Sequence, residues 1–364
     1  MQRLAPLPIL IVAALTLLVA LWAGLLRLGL ALPPVQVAWV PNHGPLMVSG
    51  FLGTLITLER AIALANVTRS RLPYAAPALA ALGALALLFA LPAPVARGLM
   101  VAGSAGLAAI FVVINRLQSN AWHVVMGVGA LAWLGGNLLW WAGWPVYQVM
   151  PWWVSFLVLT IAGERLELAR VLLLRRSATY QFAACAGLLL AGLLLAVWLP
   201  AAGVRLAGLG LAALGLWLPR NDLARRTVRQ TGLTRFVALG LLPGYAWLVV
   251  GGALWLLGAE RFLAGPWYDA MLHSVLLGFV FSMIFAHAPL ILPAVTGRRM
   301  AYHPSFYAHL ALLHLSLVLR LIGDLAQLPA LRQWGGTLNV IAVLLFMLSS
   351  IAAIARGGQW SAAK

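Results

Sequence analysis

Hydrophobic positions along this chain fall in long unbroken blocks rather than with the alternating period of a strand or the single stripe of a surface helix. Twelve blocks stand out, near 7–30, 39–64, 75–91, 97–115, 121–142, 152–174, 180–199, 203–219, 235–258, 269–292, 305–323 and 335–355. Runs of about 17 to 25 apolar residues each suffice to cross ~30 Å of hydrocarbon as a helix. The pattern predicts an all-α, polytopic transmembrane helical bundle of about 12 helices, with the third and eighth the shortest. The first block carries Arg27 and ends in Leu32-Pro33-Pro34 without a small-residue cleavage site, so it reads as a retained helix rather than a secretory signal. No long linker or low-complexity tail interrupts the series, and no clean internal repeat is apparent, so a single domain, 1–364, is the simplest organisation. The longest polar segment, "PRNDLARRTVRQTGLTR" (219–235), reads as a solvated loop facing lipid phosphates.

Composition strengthens this picture. Of the 364 residues 63% are hydrophobic and 9% charged, and a mean hydropathy of +0.99 lies outside the range of soluble domains. A net charge of +17 would suggest nucleic acid in a soluble protein, but in a membrane protein its distribution matters more than its sum. With an inside N-terminus and twelve crossings, eighteen of the 24 Lys and Arg fall on the inner side and six on the outer. The positive-inside rule thus puts both termini in the cytoplasm, and the expected location is a bacterial inner membrane with lipid, not nucleic acid, as the immediate partner. Most of the 16 tryptophans then sit at the outer helix ends as an aromatic belt. The lone Cys185 can form no intramolecular disulfide.

Histidine is where the pattern becomes chemically specific. Six of seven lie inside or at the edge of the apolar blocks: His43, His123, His273, His287, His309 and His314; His303 reads as a loop residue. Ionisable groups at membrane depth cost about 2.5–3.5 kcal/mol on insertion scales and usually face a bundle interior or polar cavity. In "LHSVLLGFVFSMIFAH", His273 and His287 are fourteen residues apart, which is ~21 Å of rise and within ~40° of whole turns on an α-helix. Both imidazoles are therefore expected on one face. His43 matches the depth of His273, while His309, His314 and His123 lie toward the level of His287. An outer His43/His273 pair could hold a haem b or a metal, and the inner group a second haem or a copper. Interhelical hydrogen bonding and proton relay remain open alternatives for the same residues.

Other polar positions are sparser. The seven acids are Glu59, Glu164, Glu167, Asp222, Glu260, Asp269 and Asp324; none is expected at mid-membrane depth, which counts against a carboxylate-centred transporter. Arg320 and Asp324, four apart in "LRLIGD", suit a local ion pair, or Arg320 a haem propionate. The glycine-rich "GVGALAWLGGNLLWWAG" (127–143), with Asn137, suits close helix packing or room for a flat macrocycle. No phosphate-binding loop, cysteine cluster or catalytic triad is present.

The stretches "HGPLMVSGFLGTLITLERA", "LGGNLLWWAG", "FLVLTIAGERLELARVLLL", "MLHSVLLGFVFSMIFAH" and "LVLRLIGDL" occur in an order and spacing that resembles NnrS-type membrane proteins, a polytopic haem- and copper-associated family linked to denitrification and nitric oxide stress. A remoter likeness is to the catalytic subunit of haem-copper oxidases and nitric oxide reductases, whose outer haem is held from the second and tenth helices. The sixth and seventh blocks here, 152–199, contain no histidine, so that family's metal-binding cluster has no counterpart. The resemblance implies a membrane haem, or haem and copper, protein in electron transfer or in handling nitric oxide or another diatomic gas, with a respiratory partner protein. Whether it is an enzyme stays open. A histidine-dependent transporter and a cofactor-free assembly subunit of a respiratory complex are the alternatives.

Overall fold

The computed structural model describes residues 7–33, 35–172 and 174–357. The described residues form the expected all-α membrane bundle. Eleven helices are long and apolar enough to cross a membrane, and one shorter apolar helix joins them. In chain order they are α1 (Leu7–Arg27), α2 (His43–Thr68), α3 (Leu72–Leu88), α4 (Ala93–Leu117), α5 (Ala121–Trp141), α6 (Val146–Ala169), α7 (Arg176–Leu195), α8 (Pro200–Asn221), α9 (Gly232–Arg261), α10 (Gly265–Thr296), α11 (Phe306–Leu325) and α12 (Pro329–Arg356). The short helix is the third, as the pattern suggested; the eighth has its full length of 22 residues. Proline sits in the first turn of α8, α10 and α12, where its missing N–H has no helical partner to lose.

The chain divides into two compact units, 1–156 and 157–364, with the boundary inside α6. In the first, α3, α4 and α5 pack in succession and α2 lies against α1 and α3. A neutral hydrogen-bonded network lies in its interior. Ser49 Oγ donates to Asn137 Oδ1 at 3.1 Å and accepts from Trp133 Nε1 at 3.0 Å. Trp153 Nε1 also donates to Asn137 Oδ1, at 3.0 Å, and Asn137 Nδ2 donates to the Met100 carbonyl at 3.3 Å. Asn137 therefore locks α2, α4, α5 and α6 together, the packing role that its glycine-rich setting suggested.

In the second unit α7, α8 and α9 pack in succession, α9 and α11 both lie on α10, and α11 pairs with α12. The polar segment 219–235 is not a wholly solvated loop. Asp222 and Ala224 are buried, and Ala224–Thr227 forms a single helical turn beneath α9.

Two helices depart from α geometry, and they do so in register. Leu46–Gly53 of α2 and Ser274–Phe281 of α10 are π-helical, eight residues each. A fifteen-residue α segment follows each, Thr54–Thr68 and Ser282–Thr296. Each then ends on a left-handed residue, Arg69 (φ 55°) and Gly297 (φ 68°). Thr68 and Thr296 both return their hydroxyls to the carbonyl four residues back, Leu64 at 2.9 Å and Leu292 at 2.7 Å. The constant offset of 228 residues also pairs Gly50 with Gly278, Phe51 with Phe279 and Val67 with Val295. At an offset of 237, Ala90 and Gln327 (φ 50° and 55°) end α3 and α11, and Pro92 and Pro329 lead into the next helices. These features thus recur in the same order from α2 to the start of α4 and from α10 to the start of α12, a partial internal repeat that the sequence reading did not expect. Few side chains are shared between its copies, so the repeat is carried by backbone geometry and helix ends.

The π segment also corrects the expectation that His273 and His287 share a face. A π ladder accommodates additional residues per turn, so everything beyond it is rotated by about 100° for each residue inserted relative to a continuous α-helix. One insertion is enough to destroy an alignment of ~40°.

Candidate functional site

The buried ionisable groups concentrate in the second unit, in three clusters strung along α10. At its C-terminal half, Arg165 of α6 holds Asp222 bidentately, with Nε to Oδ2 at 2.7 Å and a terminal nitrogen to Oδ1 at 2.9 Å. Tyr245 of α9 donates its hydroxyl to the same carboxylate at 2.8 Å, and the Ala224 N–H donates at 2.7 Å. Four donors converge on this one carboxylate and orient it. The other terminal nitrogen of Arg165 lies 3.1 Å from His287 Nε2. His287 Nδ1 is 2.8 Å from the Met283 carbonyl, which can only accept, so Nδ1 carries the hydrogen and Nε2 accepts from arginine.

Midway, Trp247 Nε1 donates to His314 Nδ1 at 3.1 Å. Indole has no acceptor, so the histidine hydrogen is on Nε2, which lies 3.3 Å from Ser282 Oγ; serine in turn donates to the Gly240 carbonyl at 2.6 Å. Donor and acceptor alternate from Trp247 through His314 and Ser282 to the backbone.

At the N-terminal end, Arg320 of α11 grips Asp269 of α10 bidentately at 2.8 and 2.9 Å. His273 Nδ1 lies 2.9 Å from the Asp269 carbonyl and 3.2 Å from its carboxylate. Arg332 of α12 stands 2.8 Å from Asp324 and 3.7 Å from Asp269. Asp324 is fully buried, and its contact with Arg332 is an ion pair by distance, without an aligned hydrogen bond. Two carboxylates and two guanidiniums thus enclose one imidazole.

This geometry redistributes the residues expected at a site. Arg320 pairs with Asp269 rather than with Asp324, four residues on, and spends its Nε and one terminal nitrogen on that carboxylate. His314 has both ring nitrogens hydrogen-bonded, and His287 spends its acceptor on Arg165. His309, 3% exposed, sits among Phe236, Phe285, Phe306 and Phe346, with ring centroids 5.2 to 6.4 Å away. Its Nδ1 meets Ser349 Oγ at 3.2 Å, and its Nε2 has no hydrogen-bond partner among the described residues. The inner histidines therefore do not converge. Among the described residues no three His, Cys, Asp or Glu side chains come together as a metal site.

In the first unit His43 Nδ1 lies 2.7 Å from the Ala20 carbonyl, and its ring packs on Gly24. His123 sits at the start of α5, with Nδ1 3.0 Å from the Gln118 carbonyl, and takes part in no ionised cluster. Its neighbour Trp122 meets it edge to face.

Sequence reading missed Asp269, Asp222, Arg165, Tyr245 and Arg332. Their partners lie 23 to 57 positions away along the chain for the Asp222 and Asp269 bonds, beyond any helical spacing rule. The available signal was the position of Asp269 and Arg165 inside apolar blocks. No curated protein matches this chain. A family model does match, over residues 6–355, and the chain belongs to that family, described as Domain of unknown function (DUF8744).

Proposed function

We propose that this multi-pass membrane protein moves protons across the bilayer through its second unit, alone or coupled to a small polar solute, with α10 as the spine of the path. One observation carries the reading. Three histidines, His273, His314 and His287, each sit in a hydrogen-bonded polar cluster on α10 within an otherwise apolar unit. Ionisable side chains inside membrane proteins are rare and commonly form proton relays, and imidazole both accepts and releases protons near neutral pH. The Arg165–Asp222 pair beside His287 balances its own charge, and the His314 cluster carries none. The inward excess of basic residues supports the bacterial inner membrane as the site of action.

The test is proton uptake into proteoliposomes holding a pH-sensitive dye, driven by a potassium diffusion potential. The wild type is expected to acidify or alkalinise the lumen with the sign of the potential, and His273→Ala and His287→Ala to lose this. Flux no faster than in protein-free vesicles contradicts the reading.

A second reading keeps a specific observation. His43 and His273 each direct Nδ1–H at a backbone carbonyl, which makes Nε2 the basic nitrogen, the orientation usual for a histidine that ligates haem iron or copper. Together with the NnrS resemblance this supports a haem protein of electron transfer or nitric oxide handling. A bound haem would supply redox and gas-binding chemistry, with His43 a candidate ligand in the first unit and His273 a separate one in the second. His314 does not fit as a ligand to such a group, because both of its ring nitrogens are already hydrogen-bonded. Oxidised and dithionite-reduced spectra of the purified protein test it; a colourless protein from haem-replete cells overturns it.

A further inference from the structure

A cavity of about 320 Å³ opens where the α10–α11 loop meets the C-terminal end of α12. Its polar lining is Tyr302, His303, Ser305, Ser349 and Arg356, over a floor that includes Phe306. None of these belongs to the clusters along α10.

The lining is one of donors. The Ser305 N–H donates to His303 Nδ1 at 3.2 Å, so the hydrogen of the neutral ring is on Nε2, which has no hydrogen-bond partner among the described residues. Tyr302 keeps its phenolic proton, since desolvation, helped by the neighbouring Tyr307 hydroxyl, pushes its pKa above the usual value. Arg356 forms no ion pair among the described residues and brings a planar fork of N–H donors. Ser349 donates its hydroxyl to the Phe346 carbonyl at 3.0 Å and lies 3.2 Å from His309 Nδ1, which ties this wall to α11.

Nothing acidic opposes them. The loop 297–305 and residues 325–357 contain no Asp or Glu, while Arg298 and Arg299 add further positive charge to the same loop. A cavity with guanidinium, imidazole N–H and phenol donors over an apolar floor, and no carboxylate, has the chemistry of an anion site. Its place at the basic, inner end of two membrane helices matches the basic pockets that take lipid headgroups.

We propose that this cavity binds a phosphate ester anion, with Arg356 and His303 as its principal contacts. The phosphate comes either from an anionic lipid headgroup or from a soluble phosphate compound. Both sources present the same oxygen cluster to the same donors.

The full chain, purified in neutral detergent, is titrated with inorganic phosphate, with dihexanoyl phosphatidylglycerol and with dihexanoyl phosphatidylcholine at constant ionic strength, while thermal unfolding is followed. Phosphatidylglycerol is expected to raise Tm in a saturable way and phosphatidylcholine much less. Arg356→Gln and His303→Ala are expected to weaken the apparent Kd by about tenfold each, the loss of one charge-assisted contact, with the ligand-free Tm little changed because both side chains are exposed. Saturable stabilisation by inorganic phosphate as well assigns the site to soluble phosphates; stabilisation by phosphatidylglycerol alone assigns it to lipid. No anion-specific shift, or shifts that survive unchanged in both variants, would overturn the proposal.

Discussion

α2 and α10 share a backbone and differ in nearly everything they carry. Both run through eight π-helical residues, fifteen α-helical ones and a left-handed end. Yet α2 presents Ser49 to a neutral network closed by Asn137 and two tryptophans, whereas α10 presents Asp269, His273, Ser282 and His287 to three arginines, a histidine, a tyrosine and two further carboxylates. At equivalent places the first copy has Pro41 for Asp269, Gly83 for Arg320, Leu87 for Asp324 and Val95 for Arg332. The scaffold is duplicated and the ionised machinery is not. A shared fold in which only one copy bears the cost of burying charge points to that copy as the place where the chemistry happens.

The largest expected effect comes from breaking one member of an ionised cluster. Asp222→Ala leaves Arg165 buried without its carboxylate and Tyr245 without its acceptor, and should cost about 3–5 kcal/mol, read as a fall in Tm in detergent. Replacing the corresponding polar anchor of the first unit, Asn137→Leu, removes neutral hydrogen bonds only. It should cost about 1–3 kcal/mol, and an equal or larger loss than Asp222→Ala would erase the contrast between the units.

Steric variants sharpen the comparison further. A Cβ at Gly24 would stand 2.9 Å from His43 Cε1, so Gly24→Leu should turn the imidazole away from Ala20 while leaving His273 and its cluster intact. Any spectral or transport property that depends on His43 should then respond, and proton flux through the second unit should not.

The smallest effect lies in the helix ends. Arg69 adopts a left-handed conformation that its counterpart Gly297 adopts without a side-chain penalty. Arg69→Gly should therefore stabilise the protein by roughly 0.5–1 kcal/mol, and Gly297→Arg should destabilise it by a similar amount. If neither moves Tm, the correspondence of the two ends is accidental.

Membrane architecture was legible in the sequence because each span is specified locally, by a run of apolar residues whose length the bilayer fixes. The histidines were legible as residues needing a reason, and five of the six named within blocks do make specific buried or half-buried contacts. Their grouping was not legible. Depth along an ideal helix placed His273 and His287 on one face, but π-helical geometry leaves no composition signature, and it rotates one end of α10 against the other. Ion pairing was misread for a related reason: Arg320 and Asp324 satisfy a local spacing rule, yet the nearer partner in space is Asp269, supplied by another helix. The repeat escaped notice because glycines, an αL end and a threonine cap recur while most side chains between them do not.

The central claim is that the clusters along α10 carry protons and that the neutral network of the first unit does not. Proton flux into proteoliposomes, measured in parallel for wild type, His287→Ala and Ser49→Ala at matched protein density, tests it most directly. The account predicts that flux collapses in His287→Ala and is retained in Ser49→Ala. Equal flux in the three proteins, or loss in Ser49→Ala alone, would contradict it.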